Sequence, residues 1–96
     1  MASSHGSLTV SGSALQLSGT TIPFLRGVYI KAAAANAGKV YIGLSSAVTA
    51  NSASSTDGYE LSAGQEFLVP AAAADDLTEV YVIASQASQK VFWFTI

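Results

Sequence analysis

The apolar residues of this chain recur at every second position rather than every third or fourth. Leu8 and Val10 flank Thr9, and Leu15 and Leu17 flank Gln16, with Ser11-Gly12-Ser13 between the pairs as a turn. A third extended run covers Ile22 to Ala32, with Pro23 near its start, where a missing amide donor is tolerated. Val28, Ile30 and Ala32 share one face of it and Tyr29 and Lys31 the other. Asn36-Ala37-Gly38 is a turn signal before Lys39 to Leu44, whose Val40, Ile42 and Leu44 share a face. Ser45 to Gly58 is poor in large apolar residues and reads as a surface loop with a short strand at Ala47 to Thr49. Short strands follow at Tyr59 to Leu61 and Glu66 to Val69, around the turn Ser62-Ala63-Gly64-Gln65. Pro70 to Leu77 is a connection, and Glu79 to Ser85 with Lys90 to Ile96 is expected to form a closing hairpin.

The last strand is apolar on both faces. Val91 and Trp93 point one way, and Phe92, Phe94 and Ile96 the other. One small core accepts one row. Val91 and Trp93 are assigned inward, because Val80, Val82 and Ala84 offer a compact facing surface. The Phe92, Phe94 and Ile96 row is then left for a second cover outside the domain. Tyr29, Tyr41 and Tyr81 are out of phase with their apolar neighbours, and with Ile83 they are expected to extend that row into one apolar face.

Two segments echo each other. Val28-Tyr29-Ile30-Lys31-Ala32 precedes Lys39-Val40-Tyr41-Ile42, and Val80-Tyr81-Val82-Ile83-Ala84 precedes Lys90-Val91-Phe92-Trp93. Each reads as a hairpin. Either both obey the same strand chemistry or they are equivalent units facing each other across the core. Ala32 to Ala35 and Ala71 to Ala74 are too short to hold as isolated helices and are read as loops or single turns, with Asp75 or Asp76 bonding local amides. The fold class is therefore all-β: one small sandwich or barrel of about eight short, mainly antiparallel strands over residues 7–96, preceded by a flexible or docking arm, residues 1–6.

Composition narrows the function. Hydrophobic residues make up 50% of the 96 and charged residues only 10%, against about 25% charged in ordinary soluble domains. Ala, Ser, Thr and Gly fill the gap, giving a surface whose burial desolvates few charges. A net charge of −2, with Arg26, Lys31, Lys39 and Lys90 apart in sequence, argues against nucleic-acid binding. No run reaches the ~18 apolar residues of a membrane span, so no membrane partner is expected. The first residues lack the basic and apolar regions of a signal peptide.

Chemistry is sparse. Cysteine is absent, and His5 is the single histidine, in the expected arm. No serine nucleophile can be given a base without it. The carboxylate pairs Asp75-Asp76 and Glu60 with Glu66 read as solvated or capping side chains, Asp75-Asp76-Leu77-Thr78-Glu79 misses the spacing of a calcium loop, and Gly6, Gly12, Gly58 and Gly64 are turn glycines. No catalytic, cofactor-binding or metal-binding residue is assigned, no cofactor is expected, and the chain is not expected to be an enzyme. The best ligand-contact candidate is Tyr59, with Asp57 and Glu60 beside it, as a platform for a glycan.

Asn36-Ala37-Gly38-Lys39-Val40-Tyr41-Ile42-Gly43, Val48-Thr49, Asp57-Gly58-Tyr59-Glu60-Leu61, Ala63-Gly64-Gln65-Glu66-Phe67 and Asp76-Leu77-Thr78-Glu79-Val80-Tyr81-Val82-Ile83-Ala84 together resemble small β-rich virion proteins of tailed bacteriophages. The resemblance covers roughly residues 22–96 and rests on turn and strand signals. It implies an auxiliary capsid protein, a decoration or cement protein on the outer shell, or a related head-fibre or tail domain. It further implies homotrimers at capsid symmetry axes, the major capsid protein as partner, synthesis in the host cytoplasm and residence in the virion. No functional residue transfers, because the matching positions are structural. The expected assembly interface is Tyr81, Ile83, Phe92, Phe94 and Ile96. The alternative is a carbohydrate-binding or adhesion module of a head fibre or tail, through Asp57, Tyr59 and Glu60.

Overall fold

The computed structural model describes residues 3–50 and 52–96. Eight strands run through them: β1 (His5–Val10), β2 (Leu15–Gln16), β3 (Gly27–Ala32), β4 (Val40–Gly43), β5 (Tyr59–Leu61), β6 (Glu66–Pro70), β7 (Tyr81–Ala84) and β8 (Gln89–Thr95). They form two antiparallel four-stranded sheets, one in the order β1-β8-β3-β6 and the other β2-β7-β4-β5. Six of the seven connections cross from one sheet to the other, and only β4 to β5 joins neighbours. This strand order is that of a double-sheet jelly roll.

Period-two burial explains why the sheets stack. Along β8 the burial alternates without a break: Gln89, Val91, Trp93 and Thr95 buried, Lys90, Phe92 and Phe94 exposed. β3 does the same from Val28 to Ala32. The inward rows meet in one core built on Val10, Val28, Ile30, Val40, Ile42, Leu61, Val69, Leu77, Val80, Val82, Val91 and Trp93. The inward assignment of Val91 and Trp93 holds. Trp93 lies across Gly6 on the neighbouring strand, where an added Cβ would stand 2.6 Å from the indole. The two buried polar side chains are paired. Gln89 accepts from the Gly38 amide at 2.8 Å and donates to Ala87 O at 2.8 Å, and the Thr95 hydroxyl accepts from the Ser4 amide at 2.8 Å.

The expected hairpins are absent. β7 pairs with β2 and β4, whereas β8 pairs with β1 and β3 in the other sheet. The β3–β4 and β7–β8 connections are arches over the edge of the core, because both strands of each pair carry an inward apolar row and face each other through it. The sequence echo marks a local two-fold. Ala32 pairs with Val91 and Val40 with Ala84, and Ile30 pairs with Trp93 and Ile42 with Val82. The arches exchange matching bonds, Ala33 N to Lys90 O and Ser85 N to Lys39 O, each 3.0 Å. They lie side by side, not across the core from each other. Asn36 fastens the pair, accepting from Lys90 N at 2.8 Å and donating to Lys90 O at 2.9 Å.

Other boundaries shift as well. His5 and Gly6 belong to β1, and Ser4 accepts from Thr95 N through its carbonyl and donates its amide to the Thr95 hydroxyl, so the expected 1–6 arm is anchored from residue 4 onward. Its first two residues, Met1 and Ala2, lie outside the described residues. The Ile22 start of the third run is loop, with Pro23 bridged to Asp76. The alanine segments are turns. A single 3₁₀ turn, Leu77–Glu79, was not foreseen; Asp76 caps it, accepting from Thr78 N at 2.8 Å. The strand expected at Ala47 to Thr49 reduces to one parallel bridge between Thr49 and Asp57.

Candidate functional site: the open face of the β1-β8-β3-β6 sheet

The two sheets treat their outer faces differently. On the β2-β7-β4-β5 sheet, Tyr41 and Ile83 are buried on the outer side, where they pack with Val48 and with Ala14, Ala50 and Tyr81. The cover comes from Val48 and Ala50 of the chain's own loop between β4 and β5. Asp57 holds that loop closed: its carboxylate accepts from Thr49 Oγ1 at 2.7 Å, from Ser52 N at 3.0 Å, from Ala53 N at 3.1 Å and from the Ser52 hydroxyl. These donors, the Ser52 and Thr49 hydroxyls foremost, keep Asp57 ionised below the usual carboxylate range. Burial, then the hydrogen bond to Glu60, raises the Tyr41 phenol. Its hydroxyl donates to Glu60 Oε1 at 3.2 Å, while Lys39 pairs with Glu60 Oε2 at 3.0 Å. The Lys39–Glu60 hydrogen bond and the attraction of the two charges hold Glu60 below its ordinary value, with a smaller contribution from the Tyr41 hydroxyl, and hold Lys39 above its own.

The outer face of the β1-β8-β3-β6 sheet has no such cover among the described residues. Phe94 is 50% exposed, Phe92 45% and Tyr29 41%. Register places them in two rows across all four strands. One row runs His5, Phe94, Tyr29, Leu68, and the next Ser7, Phe92, Lys31, Glu66. The His5 and Phe94 rings stack at 6.4 Å, and the Lys90 ammonium sits 5.5 Å from the Phe92 centroid. A shallow cleft of about 450 Å³ opens among His5, Tyr29, Lys31, Glu66, Phe92 and Phe94. Three large aromatics, with Lys31 opposite Glu66 in register and the Lys90 stem beside Phe92, make an exposed apolar surface of the kind that marks interaction sites.

The expected interface residues therefore separate. Phe92 and Phe94 are on this open face. Ile96 is half-buried past the end of β8, its backbone bonded to Gly27. Tyr81 and Ile83 are on the opposite side of the molecule, under the 44–58 loop, and leave the set. The reason is the arch: strands expected to lie in one sheet belong to two, so their outer faces point apart. Tyr29, His5 and Leu68 take their places. Tyr29 was legible as an outward residue, whereas His5 becomes a neighbour of Phe94, and Leu68 of Tyr29, only through pairing.

The glycan candidates converge only in part. Tyr59 is 58% exposed and leans on Phe67 at 4.4 Å between centroids. It shares a cleft of about 340 Å³ with Asp57, Leu44 and Thr56. Glu60, next along the strand, points to the other side of the sheet and is engaged by Lys39 and Tyr41. Both carboxylates already receive protein donors. Among the described residues, no three His, Asp or Glu side chains gather as a metal site. Comparison of the chain with protein-family models, with curated proteins and with solved structures returned no match.

Proposed function

We propose that this protein is a non-enzymatic structural protein of a tailed-bacteriophage virion, a decoration or cement protein that self-associates and binds the outer shell through the open face of the β1-β8-β3-β6 sheet. The observation that carries the docking reading is the contrast between the two sheets. The chain packs Val48 and Ala50 of the loop after β4 over the apolar outer side of one sheet and leaves Phe92, Phe94 and Tyr29 bare on the other. The resemblance supplies the phage shell as the partner, with the major capsid protein as the surface met.

Magnitude favours many copies acting together. With strands ~4.8 Å apart and a rise of ~3.3 Å per residue, the two aromatic rows and their neighbours span on the order of 300 Å². A standard stable interface contributes about 800 Å² per partner. One face alone binds weakly, whereas an oligomer presenting several such faces to a repeating shell gains avidity. Preferential binding to the assembled shell then raises its stability by linkage. The resemblance implies homotrimers, whereas the strand-edge pairing argued below gives a two-fold dimer, and the mass of the native oligomer decides between them.

The test uses shells that lack the protein. Adding the purified chain is expected to raise their melting temperature and to place new density on the outer surface, while Phe94→Asp does neither. Unchanged melting at saturating protein would remove the proposal. A second reading, adhesion to carbohydrate, rests on the exposed Tyr59 ring beside its cleft. Glycan-array binding that disappears in Tyr59→Ala would favour it over shell docking.

A further inference from the structure

A double-sheet fold leaves four strand edges open, and unpaired edges recruit other strands unless they are blunted by shortness, charge or proline. Here three of the four are blunted. β2 has two residues and β5 three. β6 has five, but carries Glu66 and ends in Pro70. β1, with His5-Gly6-Ser7-Leu8-Thr9-Val10, is the longest edge and contains no Lys, Arg, Asp, Glu or Pro. Its outward-facing groups can be identified. Thr95 N donates to Ser4 O at 2.8 Å, so Ser4 and, by alternation, Gly6, Leu8 and Val10 turn their backbone groups toward β8. His5, Ser7 and Thr9 turn theirs to the open side. No hydrogen bond from the described residues reaches that side. The side chains of all three are exposed.

We propose that this edge pairs with β1 of a second copy, antiparallel, about a two-fold axis through Ser7. The register follows from parity and satisfaction. A two-fold perpendicular to the sheet keeps each side chain on its own face, so opposed residues must have the same parity. Centring on Ser7 sets His5 opposite the partner's Thr9 and Ser7 opposite the partner's Ser7. Every outward N–H and C=O of His5, Ser7 and Thr9 is then bonded, six bonds in all. Centring on Leu8 instead leaves His5 without a partner. On the inner face the same register puts Leu8 beside the partner's Gly6, a residue with no side chain. Leu8 is half-buried in the monomer, and this neighbour closes its open side. The two open faces become one continuous eight-stranded surface, which doubles the docking area. The pairing goes beyond the shell reading and does not depend on it.

The chain has no cysteine, so single thiols report the register. Opposed residues of a bonded antiparallel pair lie about 5.5 Å apart at Cα, inside the ~4.4–6.8 Å span of a disulfide. Ser7→Cys is expected to form a covalent dimer under mild oxidation. Thr9→Cys alone is not, since the two thiols sit about 13 Å apart along the strands. Mixing Thr9→Cys with His5→Cys is expected to restore the crosslink. Light scattering of the native chain should give twice the 9.8 kDa monomer mass. Ser7→Pro, which removes an amide that β8 does not use, and Ser7→Lys, which opposes two ammonium groups on the axis, should each weaken dimerisation at least tenfold. Circular dichroism verifies that both variants keep the fold. Equal crosslinking of Ser7→Cys and Thr9→Cys would overturn the register. A monomer, or an oligomer unaffected by folded Ser7→Lys, would overturn the edge contact while leaving shell binding to its own assay.

Discussion

Trp93 and Phe94 are adjacent, aromatic and of similar size, yet the fold assigns them opposite roles, and a pair of truncations separates those roles. Trp93 is 8% exposed and fills the core over Gly6. Trp93→Ala removes the whole side chain and leaves a cavity, with an expected cost of about 3–5 kcal/mol. A domain of this length holds roughly 5–14 kcal/mol, so the variant is expected to be partly unfolded or marginal at 37 °C. Phe94 is half-exposed. Complete burial of such a side chain is worth about 1.5–3 kcal/mol, and half of that, with its cross-strand contacts to Tyr29 and His5, makes Phe94→Ala a loss of about 1 kcal/mol. Thermal midpoints should fall by roughly 4–8 °C for Phe94→Ala and by several times that for Trp93→Ala. Urea unfolding followed by circular dichroism measures both without relying on the tryptophan signal. Shell binding should show the reverse order wherever both proteins are folded. Equal losses of stability at the two positions, or a larger loss at Phe94, would refute the strand phase on which the site rests.

Other outcomes follow from the same geometry. Gly27 has φ +153°, and an added Cβ would run into the Val69 carbonyl oxygen; Gly27→Ala is expected to lose about 1–3 kcal/mol in denaturant unfolding. Val48→Asp would place a carboxylate against Tyr41 and Ile83, so hydrogen exchange should accelerate across 45–58 while β8 amides stay protected. Asp57 is held below its ordinary value in the folded state. Its contribution is therefore present above the carboxylate's unfolded pKa and is lost as pH falls through the depressed one. An NMR titration should find the Asp57 carboxyl protonating below the ordinary aspartate range, with the loop amides of Ser52 and Ala53 shifting in step.

Strand phase was legible in the sequence because it is local. The alternation of Val28, Ile30 and Ala32 against Tyr29 and Lys31, and of Val91 and Trp93 against Phe92 and Phe94, carries through unchanged. Strand partnership was not legible. Ala33 to Lys39 and Ser85 to Ser88 have the small residues of a hairpin turn and also those of an arch, and nothing within either segment says whether the next strand returns beside the last or opposite it. That one ambiguity moved Tyr81 and Ile83 to the wrong side of the molecule. The covering loop was hidden for a related reason. Val48 is a single large apolar residue among Ser, Ala and Thr, too little to show as a pattern, yet enough to seal Tyr41 once Asp57 closes the loop.

The placement of β8 has a consequence for how the protein is made. It lies in the middle of its sheet, between β1 and β3, and pairs His5 with Phe94 across nearly the whole length of the chain. A ribosome releases β8 after every strand it must join. Until then β1 and β3 have no common neighbour, and the β1-β8-β3-β6 sheet cannot close. Closure of this sheet therefore waits until β8 has been made and proceeds by non-local pairing, in the millisecond-to-second regime of such topologies. During that interval the unpaired edges of β1 and β3, with only 10% charged residues in the chain, are open to pairing with other chains.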